Sequence, residues 1–424
     1  MAFIRVRYLF PLAFFFFSSL LYGQQNDKVK SAIQLGDSWK FEEAIKLLED
    51  EVQTNPNNAD AHYWLARYCH YIVYDTRPFP MKSDTWSKTK ILFNLKKAIE
   101  LKLDFGDAHY FIAVEYGCRA REALKNNNII QCKKELMEAK NNGGFPLFAL
   151  EYAKNILSFC DKNAILFVDG DAESNAIMYL QIVDGFRKDI STVILSLLER
   201  PYYIKLLRDG IPDEIKSVPI NWNDNLIMEM HNYLWKENTV SIPISNAKKR
   251  EYDFTDTVNN FNLKVNPDYG GELLWNGTAA ILNILENNKW ERPIYCSLYG
   301  DNTLFEYTDY LKQEGFASKF MPYKVKDSAN AYDIEKFETQ MFDAKNYKYF
   351  NDIKTHNQPK AAYFFGDNRR DIILKYVSFL INKGEKNKAK NALEKMDLVM
   401  PKSVYPLSPE LEKKYKAIEE QFRK

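Results

Sequence analysis

The sequence predicts an α/β domain built on a small, mainly parallel sheet, with all-α helical hairpins on either side of it along the chain. Three observations lead there. Brief apolar runs at 165–168, 192–197 and 293–296 are each followed by a helix-like or loop-like stretch, the rhythm of parallel strands with crossovers. Apolar residues at helical spacing fill about 28–160, and they do so again over about 335–424. The chain has 424 residues, 46% hydrophobic and 15% aromatic, enough to bury two or three cores. Lys and Arg number 58 against 57 Asp and Glu, so no global charge draws nucleic acid, and Lys248-Lys249-Arg250 reads as a solvated face.

The first element is a targeting segment. Arg5 and Arg7 precede an apolar run over 9–21, and Leu21-Tyr22-Gly23 closes it with a small residue suited to cleavage. Residues 1–23 therefore read as a secretory signal peptide, with the mature chain starting near Gln24. The run is short of the roughly 20 residues a spanning helix needs. Export to the periplasm follows as an expectation, and passage beyond the outer membrane stays open. Cys69, Cys118, Cys132, Cys160 and Cys296 are scattered, odd in number and without C-x-x-C spacing, and read mainly as small core residues.

Over 28–160, Phe41, Ala44, Leu47, Leu48 and Pro56 fit the second half of a helix-turn-helix unit. Asp-Ala-His-Tyr begins the next at 60–63 and recurs at 107–110, each time before two bulky apolar residues and an alanine. This part resembles tetratricopeptide repeats, with a Pro-containing insertion over 75–88. His62 and His109 occupy matching repeat positions and read as packing residues rather than a metal pair. The central α/β domain takes 161–330, with covering helices at 203–208 and 276–286 and long loops over 211–260. At 335–424, a helix over 372–381, a turn at Asn382-Lys383-Gly384 and a second helix ending before Pro401 make another tetratricopeptide-like pair.

The chemistry-bearing stretch follows the first strand, where the run ending at Val168 stops at Asp169, Gly170, Asp171 and Glu173. Acids after a parallel strand and before a helix have the layout of a ligand site at the carboxyl edge of a sheet. Asp169, Asp171 and Glu173 are candidate ligand-binding residues and candidate ligands for Mg²⁺ or Ca²⁺. Tyr202, Tyr203 and the aromatics of 219–235 offer flat surfaces beside them. No residue is assigned as catalytic, and the familiar nucleotide, zinc-peptidase and serine-hydrolase motifs are absent from the sequence.

Asn163 to Glu173, Tyr179-Leu180-Gln181, Gly185, Arg187, Asp189, Arg292-Pro293-Ile294-Tyr295, Glu314-Gly315-Phe316-Ala317 and Asn368-Arg369-Arg370 resemble, in order, the soluble carboxyl-terminal region of DUF2723. That Bacteroidetes multi-pass family is related through its membrane portion to O-mannosyltransferases. The resemblance spans about 161–408 and implies an envelope setting. The chain departs from the family's Gly-Asp-Asn-Asp-Thr at Gly170-Asp171-Ala172-Glu173-Ser174, which tells against glycosyl transfer.

Two functional readings follow. The preferred one is a noncatalytic periplasmic scaffold or accessory binding protein in envelope assembly or glycoprotein handling. Its helical repeats would take an envelope protein or peptide, its central domain a glycan, and it would meet the membrane only through a partner. The alternative is a carbohydrate-active or divalent-cation-dependent enzyme centred on the acidic loop at 169–173.

Overall fold

The computed structural model describes residues 27–74, 85–252, 254–255, 257–268, 271–298, 307–326, 328–352 and 363–423. The signal-peptide reading and most of the insertion at 75–88 lie outside the described residues. The chain divides into two compact units, one ending at Leu101 and the other starting at Lys102.

The first unit contains α1 (Asp27–Asp37), α2 (Phe41–Thr54), α3 (Ala59–Tyr74) and α4 (Thr85–Leu101), with successive helices packed on one another. Helix α3 is buried from Ala61 to His70, which makes it the centre of this unit. Small residues set the spacing: Ala32, Ala44, Ala61, Ala66 and Ala98 are fully buried. A Cβ on Gly36 of α1 would stand 2.2 Å from the Tyr68 hydroxyl of α3. The turn into α3 is held by Glu51, which accepts from Asn55 and Asn58, while Asn58 Oδ1 caps Ala61 N. His62 Nε2 bonds Pro56 O at 3.0 Å and its Nδ1 meets Asn94 Oδ1 at 2.6 Å.

The second unit opens with α5 (Gly106–Lys125), α6 (Ile129–Asn141) and α7 (Leu147–Phe159). His109 repeats the role of His62, its Nε2 bonding Leu103 O, again six residues back, and its Nδ1 bonding Gly143 O. The recurring tetrapeptide thus marks a helix-start tie.

Next come β1 (Ile165–Val168), α8 (Asp171–Met178, continued by a π turn over Tyr179–Val183), β2 (Ser191–Ile194), α9 (Pro201–Asp209), α10 (Asp224–Met228), β3 (Tyr233–Leu234), β4 (Asn238–Pro243) and α11 (Asn246–Glu251). They are followed by β5 (Asn260–Val265), β6 (Leu273–Leu274), α12 (Asn276–Asn288), β7 (Ile294–Ser297), β8 (Leu311–Gln313), β9 (Ala317–Phe320) and α13 (Ile334–Met341). The main sheet is open and five-stranded, in the order β2-β1-β7-β9-β8. β1 runs parallel to β2 and β7, while β9 is antiparallel to both β7 and β8. The mixed α/β class and the mostly parallel sheet are as the sequence predicts.

β1 is buried at all four positions, the mark of a strand covered on both faces. Phe167 pairs with Cys296, and these two line the same small gap as Ile281 and Leu285 of α12. Val168 and Ser297 alternate onto the other face, where Ser297 approaches Glu173 of α8.

Three expectations change. The 192–197 run is strand only to Ile194, whose N–H is taken by the Tyr203 hydroxyl at 2.8 Å, and Leu195–Leu197 forms a 3₁₀ turn. The loops expected over 211–260 contain α10, α11 and strands of two small two-stranded sheets, β3 with β6 and β4 with β5. On β5, Phe261, Leu263 and Val265 alternate inward, a period-two pattern too short to stand out in a polar stretch. Lys249, read as solvated, is 5% exposed and donates to Asn259 Oδ1 at 2.8 Å.

The chain closes with α14 (Asn368–Asn382), α15 (Lys386–Val399) and α16 (Pro409–Arg423). Gly384, at φ +80°, makes the turn between the first two. Arg370, buried in α14, donates to Met400 O at 2.9 Å and Tyr405 O at 2.8 Å and so fixes the segment leading to α16. None of the five cysteines forms a disulfide, and Cys69, Cys132, Cys160 and Cys296 are buried. No described helix is long and apolar enough to cross a membrane.

Candidate functional site at the carboxyl edge of the sheet

From β1 the chain passes through α8 to β2 on one side, while β7 adds on the other side of β1. The carboxyl ends of β1 and β7 therefore border a topological switch point, where open α/β sheets receive ligands. Asp169 ends β1, Gly170 turns the chain at φ 72°, and α8 starts at Asp171. Asp171 and Glu173 lie in its first turn, where the helix dipole favours acids.

The three acids sit within one turn but in different surroundings. Asp171 pairs with Arg121 of α5 at 3.1 Å. The same guanidinium donates to Asn175 Oδ1 at 2.6 Å and reaches Cys118 Sγ at 3.1 Å, and Asn175 Nδ2 donates to Ala113 O at 3.2 Å. Arg121 thereby joins α5 to α8, and neighbouring groups hold it firmly in the charged form despite its burial.

Glu173 points inward and is 1% exposed. Its Oε2 accepts from the Tyr152 hydroxyl of α7 at 3.3 Å. Oε1 has no partner of normal hydrogen-bond geometry, although the Ser297 hydroxyl at the end of β7 is close enough to favour the charged form. Burial dominates and pushes the carboxyl up to about 8, and the Asp169 charge acts in the same direction. At neutral pH Glu173 is thus chiefly a carboxylic acid, able to donate a hydrogen bond.

The aromatics divide likewise. Tyr203 is buried and its hydroxyl is occupied by Ile194 N–H, so it completes the core. Tyr202 is half-buried, with Lys125 Nζ 5.8 Å from its ring centre, and its hydroxyl is raised by burial. Trp235 donates its indole N–H to Val265 O at 3.1 Å, within the small-sheet region. Among the described residues, no group of three or more His, Cys, Asp or Glu is placed to hold a metal ion. Arg121, Asn175, Tyr152 and Ser297 belong to this site and escaped the sequence reading. Arg121 and Tyr152 lie on helices 50 and 21 residues before their partners, outside any motif that points to the acids.

Gly117 permits the α5–α8 approach, since a Cβ there would stand 2.3 Å from Asn175 Oδ1. Gly117→Ala gains about 1 kcal/mol of helix propensity but overpacks the contact by about 1–3 kcal/mol. The expected result is a net loss in chemical denaturation, recovered in part when Asn175→Ala opens the space. A more stable Gly117→Ala protein would show that the helices separate freely.

The family described as TMEM260-associated domain 2 matches residues 149–265 and 232–341, overlapping segments that together run from α7 to the end of α13. No curated protein and no solved structure matches the chain. This match overturns the DUF2723 reading: over this stretch the chain is similar to TMEM260-associated domain 2 instead. Arg187, Asp189 and Arg292 are sheet staples: Arg292 donates to Asn163 O, Ala164 O and Ser217 O, and Arg187 binds Asp189 and the end of α7.

Proposed function

We propose that this chain is a noncatalytic accessory binding protein of the cell envelope. Its helical hairpins are read as tetratricopeptide-like surfaces for a protein or peptide, and its α/β body as the rigid platform. The observation that carries the reading is the commitment of the acids: Asp171 is tied to Arg121, and Glu173 is buried against Tyr152. Acids engaged in this way join helices to the sheet and leave little free to turn over a substrate. Export through a cleavable leader ending at Gly23 belongs to the same proposal, and amino-terminal sequencing of the mature protein for Gln24 tests it.

The binding surface is tested with residues whose loss leaves the core intact. Trp39 and Phe93 are large apolar side chains 41% and 65% exposed. In pull-downs from envelope extracts, Trp39→Ser with Phe93→Ser is expected to lose at least half of a partner retained by the native protein, with an unchanged melting temperature. Equal recovery would remove these hairpins as the docking face.

One observation favours an enzyme as the second reading. A carboxyl raised to about 8 beside a second acid at a topological switch point is the arrangement of a general acid. Turnover of a glycoside or lipid-linked sugar by the isolated protein, lost in Glu173→Gln, would reverse the preference.

A further inference from the structure

Away from the carboxyl edge, strands β8 and β9, the start of α13 and the end of α11 enclose an open cleft of ≈ 260 Å³. Its charged lining balances: Lys312, Lys319 and Lys336 face Glu251, Glu314 and Asp333. Two of the lysines are closed off by short pairs, Lys319 with Asp161 at 2.8 Å and Lys336 with Glu314 at 2.8 Å. Glu314 is buried and also accepts from the Tyr295 hydroxyl at 2.9 Å, so this side of the cleft is built and rigid. Glu251 is neutralised by Lys248 at 2.7 Å.

The remaining pair is different. Lys312 Nζ stands 3.6 Å from Asp333 Oδ2, an ion pair stretched beyond hydrogen-bond length. An oxygen lying on the cleft side of such a pair can accept from Lys312 and donate to Asp333 at once. An anion would satisfy Lys312 and be repelled by Asp333, and a cation the reverse. A hydroxyl satisfies both. Tyr252 and Tyr323, their rings 6.3 Å apart and edge to face, add flat apolar surface to the same cleft together with Met321.

We propose that this cleft binds a neutral, hydroxyl-rich ring, a single sugar unit, with one hydroxyl bridging Lys312 and Asp333 from the open side and its C–H face against Tyr252 or Tyr323. The site is separate from the acidic turn at β1 and does not depend on which partner the hairpins take.

The test titrates the full-length protein with the methyl glycosides of glucose, galactose and mannose, with inorganic phosphate and glycine as comparison ligands, by calorimetry and saturation-transfer NMR. At least one glycoside is expected to saturate. Its dissociation constant should rise about tenfold or more in Lys312→Met and in Tyr323→Ala, and stay unchanged in Lys390→Met on the exposed face of α15. Should Tyr323→Ala disturb the fold, Lys312→Met still decides, because its carboxylate neighbour is already out of hydrogen-bond range. The proposal is overturned if no glycoside saturates, if glycoside binding survives Lys312→Met, or if phosphate or glycine alone binds and is lost in that variant.

Discussion

Between about pH 5 and pH 9 the native protein loses stability, and Glu173→Gln removes most of that loss. The carboxyl of Glu173 is pushed up to about 8 by burial behind α8. In the unfolded chain it titrates as an ordinary glutamate near 4.3. Below that value both states hold the proton and the group contributes nothing to the pH dependence. As pH rises toward 8 the folded state keeps a proton that the unfolded chain has released, so stability falls with pH. Above about 8 the full cost is present, at most about 5 kcal/mol at 1.36 kcal/mol per unit. Glutamine has the size and neutrality of the protonated acid and makes no such demand. Urea midpoints of the two proteins should therefore diverge steadily from pH 5 and favour the variant at pH 9. Parallel profiles would mean that water or a neighbouring cation reaches the carboxyl.

The same residue shows how far the sequence carries. An apolar run ending in Asp-Gly-Asp placed a strand and a turn, with Gly170 at positive φ, while the helix expected after the acids starts earlier, at Asp171, and takes Asp171 and Glu173 into its first turn. Those features are local, and local chemistry specifies them. Whether Asp171 or Glu173 faces the interior depends on what packs against α8, and that is decided by Tyr152, Arg121 and Ser297 from three other elements. Spacing along the chain does not encode such neighbours. The acids consequently read as one cluster, while the structure gives one an ion pair and the other a buried neutral state.

The sheet was legible where burial is complete. The four-residue run of β1 has both faces covered, so its sequence is uniformly apolar. β4 and β5 form a half-exposed antiparallel pair, and their inward residues alternate with Asn, Thr, Ser and Lys in a stretch that reads as loop. The recurring Asp-Ala-His-Tyr was legible as a local feature, because His62 and His109 each make the same bond to a carbonyl six residues back. Family identity was not: the match over 149–265 and 232–341 is to TMEM260-associated domain 2.

Arg187→Ala should be among the most destabilising single changes in the α/β body. Arg187 grips Asp189 through two nitrogens at 2.8 and 2.9 Å. It also donates to Leu157 O at 2.6 Å, Cys160 O at 3.1 Å and Asp161 O at 3.1 Å, closing the carboxyl end of α7 just before β1. Asp189 in turn accepts from Asn163 N–H at 2.9 Å, so the network fixes the entry to the central strand. Hydrogen bonds to charged groups contribute about 1.5–3 kcal/mol each and do not simply add, which sets the expected loss at about 3 kcal/mol or more. Arg187→Lys should recover little, because an ammonium cannot grip a carboxylate and three carbonyls at once. The pH dependence supplies an independent check. Chiefly through the Arg187 hydrogen bonds, the Asp189 carboxyl is held down to about 2, below the ordinary aspartate range. The folded state thus gains stability above about 3.9, and loses it as pH falls toward 2. Native protein should weaken through that window more steeply than Arg187→Ala, whose Asp189 titrates nearly as it does in the unfolded chain. Equal acid sensitivity, or a loss in Arg187→Ala well under 1 kcal/mol, would show that α7 and β1 are joined by packing alone.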